Sequence, residues 1–318
     1  MRRILSIDGG GIRGLLPASL LAMLEDAVGE PVAEHFDLIV GTSTGAIIAL
    51  GLGAGMPAAE IRDFYLDHGP AIFSGSRGPR WLRHLALGKY NAAGLRGALE
   101  DALGARRLGE SGTRLVVPSV NLETGQVHIY KTAHHPRLER DYKELMVDVG
   151  LASAAAPSYL PTYRSTGGIP LVDGGLFANN PVGLAVVEAL GVLGWPSTEL
   201  RVLSLGCGEE PLDVGLARQR NMSRLYWAPR IVSVFMSAQS SSSFGTAQLL
   251  AGHENVIRIN PVVPAGRFGL DRTSEMASLR GLGETVARTA LPALRPVFFG
   301  ERAEPFRPER TLQPETSR

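Results

Sequence analysis

The chain has 318 residues, 44% of them hydrophobic and 20% charged, with a formal net charge of +1. That length supports a well-buried core, in one large domain or two smaller ones, and the charge balance gives no overall pull toward a nucleic acid polymer. A single cysteine, Cys207, excludes an internal disulfide and fits a reducing compartment. Positive charge is carried almost wholly by arginine, since Lys89, Lys131 and Lys143 are the only lysines.

Met1-Arg2-Arg3 resembles the charged start of a signal peptide, but the apolar run Ile4 to Ile7 is stopped by Asp8. That is too short for a signal core, and no stretch has the length of a membrane-spanning helix, so the expectation is a cytoplasmic protein. Arg3 to Ile7 reads as a strand and Leu15 to Val28 as a helix with Leu16, Leu20, Leu24 and Ala27 on one stripe. Phe36 to Val40 reads as a second strand. Ser43 to Ala54 reads as a helix apolar on every side, which belongs in the interior. A further helix begins at Pro57. Ser74 to Tyr90 mixes glycine and proline breaks with Arg77, Arg80, Trp81, Arg83 and Lys89. Asn91 is placed to cap a helix from Ala92 to Leu103.

Arg114 to Val120 and Gln126 to Lys131 flank Glu123-Thr124-Gly125 as a hairpin. Leu145 to Ala155 is a small-residue helix, Leu171 and Val172 form a short strand before Asp173, and a helix runs from Pro181 to about Gly191. Arg201 to Leu205 and Asn255 to Ile259 are strands. Ser223 to Leu250 is largely helical, and Thr273 to Leu291 is a helix that Pro292 helps to end. Strands alternating with helices indicate an α/β layered domain over 1–300, and the proline- and charge-rich residues 301–318 read as a flexible tail.

Two glycine-rich turns carry the chemistry: Asp8-Gly9-Gly10-Gly11-Ile12-Arg13-Gly14, and Gly41-Thr42-Ser43-Thr44-Gly45. Each follows an apolar strand and precedes a helix. The second is a Gly-x-Ser-x-Gly turn, the setting of a nucleophile elbow; the plain alternative is that Ser43 caps a buried helix. The first also fits the dinucleotide fingerprint Gly-x-Gly-x-x-Gly. That reading wants an acidic residue at the end of the second strand, where Ile39-Val40-Gly41 stands instead. The other reading is a loop whose free N–H groups face an oxyanion.

A serine nucleophile needs a base. None of His35, His68, His84, His128, His134, His135 and His253 sits in a glycine-framed turn. His253 is the candidate by chain order, in a segment that reads as exposed. Asp173 is held by a strand and followed by Gly174-Gly175, and desolvation would make its carboxylate a better proton acceptor.

The motifs together resemble those of the patatin-like phospholipases. Asp8 to Gly14 is similar to that family's oxyanion loop, Gly41 to Gly45 to its elbow, Ala152-Ser153-Ala154-Ala155-Ala156-Pro157 to its Ala-Ser-x-x-x-Pro block, and Asp173-Gly174-Gly175 to its Asp-Gly-Gly block. The likeness covers roughly residues 3 to 210 and, more loosely, the chain to Pro261. It implies a three-layer α/β/α sandwich with a mostly parallel sheet. It also implies release of fatty acids from phospholipids or lysophospholipids, without metal or organic cofactor. Ser43 would attack the ester and Asp173 would take its proton. Gly10 and Gly11 would hold the oxyanion and Gly9 would shape the turn. Arg13 would add charge or brace the loop by an ion pair, while Asn179 and Asn180 would support the loop bearing Asp173. The family also contains effectors held inactive until a small molecule or protein activates them. Ser74 to Tyr90 reads as a solvated loop, with a lid or a peripheral membrane contact as its functional alternatives.

Overall fold

The computed structural model describes residues 1–73, 89–211 and 231–312. Except for Lys89 and Tyr90, the Ser74 to Tyr90 segment lies outside them, as do the first residues of the helix read from Ser223.

The glycine turns are where the sequence said they are. β1 (Arg2–Ile7) leads through a 3-10 turn (Gly11–Gly14) into α1 (Leu15–Val28), and β2 (Leu38–Gly41) leads into α2 (Thr44–Gly53). All ten residues of α2 are buried, as an all-round apolar helix requires. There follow α3 (Ala58–Ile72) and α4 (Ala92–Leu103). Asn91 caps α4 by accepting from the Ala93 N–H at 2.9 Å. β3 (Arg114–Asn121) and β4 (Val127–Lys131) form the expected antiparallel hairpin. α5 (Met146–Ala154), β5 (Tyr163–Arg164), β6 (Pro170–Asp173), α6 (Gly175–Ala178), α7 (Val182–Gly191), β7 (Leu200–Leu205), α8 (Ile231–Ala251), β8 (Val256–Ile259) and α9 (Met276–Phe298) complete the order.

The sheet runs β5-β6-β3-β2-β1-β7-β8, with β4 on the free side of β3. β3, β2, β1, β7 and β8 are mutually parallel. Side chains alternate between its faces. Leu5, Ile7, Leu203 and Leu205 pack into one core with α1, α2, α3 and α9. Ile4, Val40, Val202 and Val256 pack into a second with α7 and α8. This is the three-layer α/β/α sandwich.

β3 positions the site. One of its edges pairs with β4 from Val116 to Val120. The other takes β2 first, with Val40 opposite Val116, and then the antiparallel β6, with Asp173 opposite Ser119. The carboxyl ends of β2 and β6 therefore meet head to head on one edge, three β3 residues apart, a rise of about 10 Å. Ser43 lies just past one end and Asp173 at the other.

Two expectations need correction. α9 does not end at Pro292 but runs to Phe298, with Pro292 and Pro296 inside it. The two prolines are four residues apart and exposed, so the hydrogen bonds they forgo fall on carbonyls facing water. The opposite face, with Leu279, Ala287, Leu294 and Phe298, is buried. Residues 301–312, read as part of a loose tail, lie tied to the domain. The Ala303 N–H donates to the Glu34 carbonyl and the Glu309 N–H to that of Ala133, both at 2.7 Å. The Arg114 guanidinium lies 5.0 Å from the Phe306 ring centroid.

Candidate active site

Ser43 stands between β2 and α2 with φ 55° and ψ −118°. A non-glycine residue in that region carries about 1–3 kcal/mol of strain and persists only where its surroundings impose it. The close approaches are made by glycines. A Cβ at Gly41 would overlap the Gly45 carbonyl oxygen, and one at Gly45 the Ile7 carbonyl oxygen. A helix-capping serine accepts from an N–H of the first turn. Ser43 makes no such bond. Its Oγ donates to Asp173 Oδ2 at 2.7 Å instead.

Asp173 is 6% exposed and its other oxygen accepts from the Gly175 N–H at 2.6 Å. Burial pushes the carboxyl up to about 6, against the opposing pull of the bonds from Ser43 and Gly175. Gly174 lets the turn press on β3, since a Cβ there would overlap the Pro118 carbonyl oxygen. Ser43 and Asp173 share support from α5. The Ser43 N–H donates to Ser153 Oγ at 3.0 Å, and Ser153 Oγ donates to the Pro118 carbonyl at 2.7 Å. The Asp173 N–H donates to the Ala155 carbonyl at 3.0 Å. The Ala-Ser-x-x-x-Pro block marks Ser153 in the sequence, but only this geometry gives it a task. Thr42, next to the serine, donates from Oγ1 to the Ala178 carbonyl at 2.6 Å and joins the elbow to α6.

The first glycine loop lies against the elbow: a Cβ on Gly9 would come within 3.3 Å of the Ser43 Cβ. The Gly9 N–H is not open to the site, because it donates to the Asn179 carbonyl at 2.9 Å. Gly9 therefore shapes the turn. The N–H groups of Gly10 and Gly11 have no partner among the described residues. Gly11 has φ 57°, which favours glycine, and its neighbour Ile12 donates to the Leu270 carbonyl at 2.8 Å. Gly10 rests on Cys207, whose Cβ and Sγ would be 2.5 and 2.7 Å from an added Cβ. Burial pushes that thiol up to about 12, so Cys207 is a wall and not a nucleophile. Gly14 packs on Thr44, whose Oγ1 would overlap a Cβ there.

Arg13 lines the same cavity and pairs with Glu210 at 3.6 Å. The Asn179 N–H donates to Gln239 Oε1 at 2.7 Å, and Asn180 Oδ1 accepts from the Val182 N–H at 3.2 Å. Asn180 Nδ2 also donates to Ser240 Oγ at 3.2 Å, so these bonds link the chain after α6 to α8.

Ser43 and Asp173 open into a cavity of about 1250 Å³. Ile47, Phe64, Ile72, Phe73, Leu160 and Phe268 give it an apolar wall. None of the described histidines lines it, and His253 is exposed in a 3-10 turn (His253–Asn255).

A serine bonded to a buried carboxylate, two N–H donors in the loop beside it and an apolar cavity define a site suited to acyl transfer. The family model and the curated relatives give the class. A family model described as Patatin-like phospholipase matches residues 5–186, and the chain belongs to that family. The chain is similar to a cGAMP-activated phospholipase of Pseudomonas aeruginosa, 38% identical over 75% of this chain and 72% of that protein. It is similar to another of Vibrio cholerae, 37% identical over 65% of each. The match thus spans about two thirds of the length of these relatives. Among solved structures, VipD from Legionella pneumophila aligns with a TM-score of 0.49 at 14% identity, covering 92% of this chain and 67% of that one.

Proposed function

We propose that the chain is a serine acyl hydrolase that releases fatty acids from phospholipids or lysophospholipids through a Ser43–Asp173 dyad. The observation that carries this reading is the 2.7 Å hydrogen bond from Ser43 Oγ to a buried carboxylate with no histidine between them. Ser43 Oγ attacks the ester carbonyl and its proton passes to Asp173. The N–H groups of Gly10 and Gly11 stabilise the oxyanion, where one such donor is worth about 3 kcal/mol. The alcohol leaves with the proton from Asp173, and an acyl group remains on Ser43. Asp173 then takes a proton from water, whose oxygen attacks the acyl-enzyme; the acyl–Oγ bond breaks, the fatty acid is freed and Asp173 returns the proton to Ser43 Oγ. The apolar cavity supports an acyl chain as the bound group. The buried aspartate, titrating near 6, supports its role as base at neutral pH.

Fatty acid release from mixed phospholipid vesicles tests this. Wild type is expected to release fatty acid, while Ser43→Ala and Asp173→Asn are expected to lose activity by about four orders of magnitude. Release that survives in Ser43→Ala would overturn the mechanism.

A regulated form of the same enzyme is the second reading, and the names of the P. aeruginosa and V. cholerae relatives favour it. It predicts release that rises when cGAMP is added to the vesicle assay. Equal release with and without the nucleotide would exclude cGAMP as the activator. No helix among the described residues is long and apolar enough to cross a membrane. In this proposal the enzyme is cytoplasmic and meets the lipid by peripheral contact.

A further inference from the structure

The sheet face under α7 and α8 changes character toward the carboxyl ends of its strands. Ile4, Val202 and Val256 lie side by side on β1, β7 and β8 and belong to the apolar core of that face. Two residues further along, Ser6, Ser204 and Arg258 form the next row, on the same face because side chains two apart point the same way. Two residues beyond Ser6 is Asp8, where β1 passes into the glycine loop.

Arg258 reaches across β7 to that aspartate. Its Nη1 donates to Asp8 Oδ1 at 2.8 Å and to Ser204 Oγ at 2.7 Å, and its Nη2 donates to Asp8 Oδ2 at 2.5 Å. The two side chains are only 14% and 6% exposed. Asp8 is also held through its main chain. Its N–H donates to the Leu205 carbonyl at 2.9 Å, and its carbonyl accepts from Cys207 Sγ at 3.4 Å. Arg258 lies outside residues 5–186, the part of the chain that the family model matches.

We infer that Arg258 is a positioning residue for the oxyanion loop: it fixes Asp8, and with it the path of Gly9 to Gly11, and it cancels a buried carboxylate charge beside the place where the oxyanion forms. The inference rests on the reading of Gly10 and Gly11 as oxyanion donors. Three successive glycines hold no conformation of their own, so the residue entering them must be fixed from outside. A bidentate guanidinium–carboxylate pair fixes both position and orientation. Burial pushes the Asp8 carboxyl up, and Arg258 opposes this, with a smaller pull from Arg13. Without Arg258, Asp8 would be a buried carboxylate with only the Arg13 charge to offset it. In a site of low dielectric it would act directly against a negative transition state. Arg258 thus acts by geometry and by charge, and a second substitution separates the two.

The test is the rate at which a fluorophosphonate labels Ser43. In that reaction the Ser43 Oγ–P bond forms, the P–F bond breaks, fluoride leaves and the serine proton passes to Asp173. The phosphoryl oxygen takes the place of the oxyanion. Arg258→Met is expected to slow labelling, and kcat on a p-nitrophenyl ester, by about 100-fold, with KM changed less than about twofold. Asp8→Asn combined with Arg258→Met removes both charges and is expected to regain about tenfold over Arg258→Met alone. A purely structural role would give no such recovery in rate at equal melting temperature.

Labelling of Arg258→Met at the wild-type rate would overturn the inference. So would a doubly substituted enzyme no faster than the single variant. If Arg258→Met gives no cooperative thermal transition, the doubly substituted chain decides alone. It buries no lone charge and is expected to label about tenfold more slowly than wild type, and the wild-type rate would overturn the inference. A wild-type enzyme that is not labelled at Ser43 would overturn the hydrolase reading and this inference with it. Labelled wild type with unchanged variants would overturn this inference alone.

Discussion

Ser43 and Ser153 are joined by a hydrogen bond from the main-chain N–H of the first to the hydroxyl of the second, at 3.0 Å. Because Ser153 lies in the last turn of α5 and accepts the Gly174 N–H at its carbonyl, while Ala155 just past the helix accepts the Asp173 N–H, a single helix terminus sets both partners of the proposed dyad. Ser153→Ala leaves the Ser43 N–H without its acceptor at a strained position. The expected result is a stability loss of about 1–3 kcal/mol, read by denaturant unfolding. A fall in kcat of about tenfold at little-changed KM should accompany it. Unchanged kcat would mean that Ser153 does not hold the elbow.

The acid limb of kcat/KM should report Asp173. Its carboxyl is pushed up to about 6 by burial, and only the ionised form accepts the serine proton. Activity should therefore rise with pH and level off above about 6. A histidine base would titrate in the same range, so the profile is repeated in His253→Gln. The same inflection and the same plateau are expected, because His253 is exposed and away from the cavity. Loss of the limb in that variant would point to a Ser-His-Asp arrangement.

The same shift has a consequence for stability. The folded chain keeps a proton on Asp173 that the unfolded chain releases between its ordinary value of 3.8 and about 6. The contribution of the protonated group is full below the lower value and is lost as pH rises through the upper one. Asp173→Asn removes that loss. The variant should exceed wild type by roughly 3 kcal/mol at pH 8 relative to its difference at acid pH, measured by urea unfolding. A difference independent of pH would show that Asp173 is ordinary in the folded chain.

Gly10 and Cys207 should be coupled. Gly10→Ala places a methyl on the cysteine Cβ and Sγ and should displace a donor of the oxyanion loop, with kcat down by about 100-fold. Adding Cys207→Gly opens the space and should recover part of the loss. A double variant as slow as Gly10→Ala would show that the glycine is needed for some other reason.

Stability and chemistry should also separate at a site outside the cavity. Lys131 Nζ pairs with Glu188 Oε2 at 2.6 Å, and His134 Nε2 lies 2.9 Å from Glu188 Oε1, all largely buried. Burial keeps His134 below its ordinary value, while the bonds from His134 and Lys131 overcome burial to hold Glu188 low. Glu188→Gln strands the Lys131 charge and should cost about 3 kcal/mol, seen as a lower melting temperature with kcat unchanged. A parallel loss of kcat at a temperature where the variant is folded would tie this cluster to the site.

How much of this was legible depended on distance along the chain. Asp8 to Gly14 and Gly41 to Gly45 were readable because a strand, a glycine turn and a helix are local events. Asp173 was readable as a strand-end aspartate, though the head-to-head meeting of β2 and β6 on β3 is a property of pairing alone. Arg258 was not readable, because 250 residues separate it from Asp8 and nothing around it in the sequence marks a partner. The same holds for the Leu270 carbonyl that receives Ile12. Gly9 looked like its two glycine neighbours, and only the Asn179 carbonyl sets it apart. Pro292 misled for a different reason: a proline on the wet face of a long amphipathic helix breaks fewer buried bonds than the residue type suggests.

In the proposed reaction Ser43 carries the acyl group. This is tested most directly by acid-quenching the enzyme during turnover of a p-nitrophenyl ester and mapping the acyl adduct by peptide mass spectrometry. The adduct is expected on the peptide containing Ser43, and none in Ser43→Ala. An acyl group on any other residue, or hydrolysis undiminished in Ser43→Ala, would contradict it.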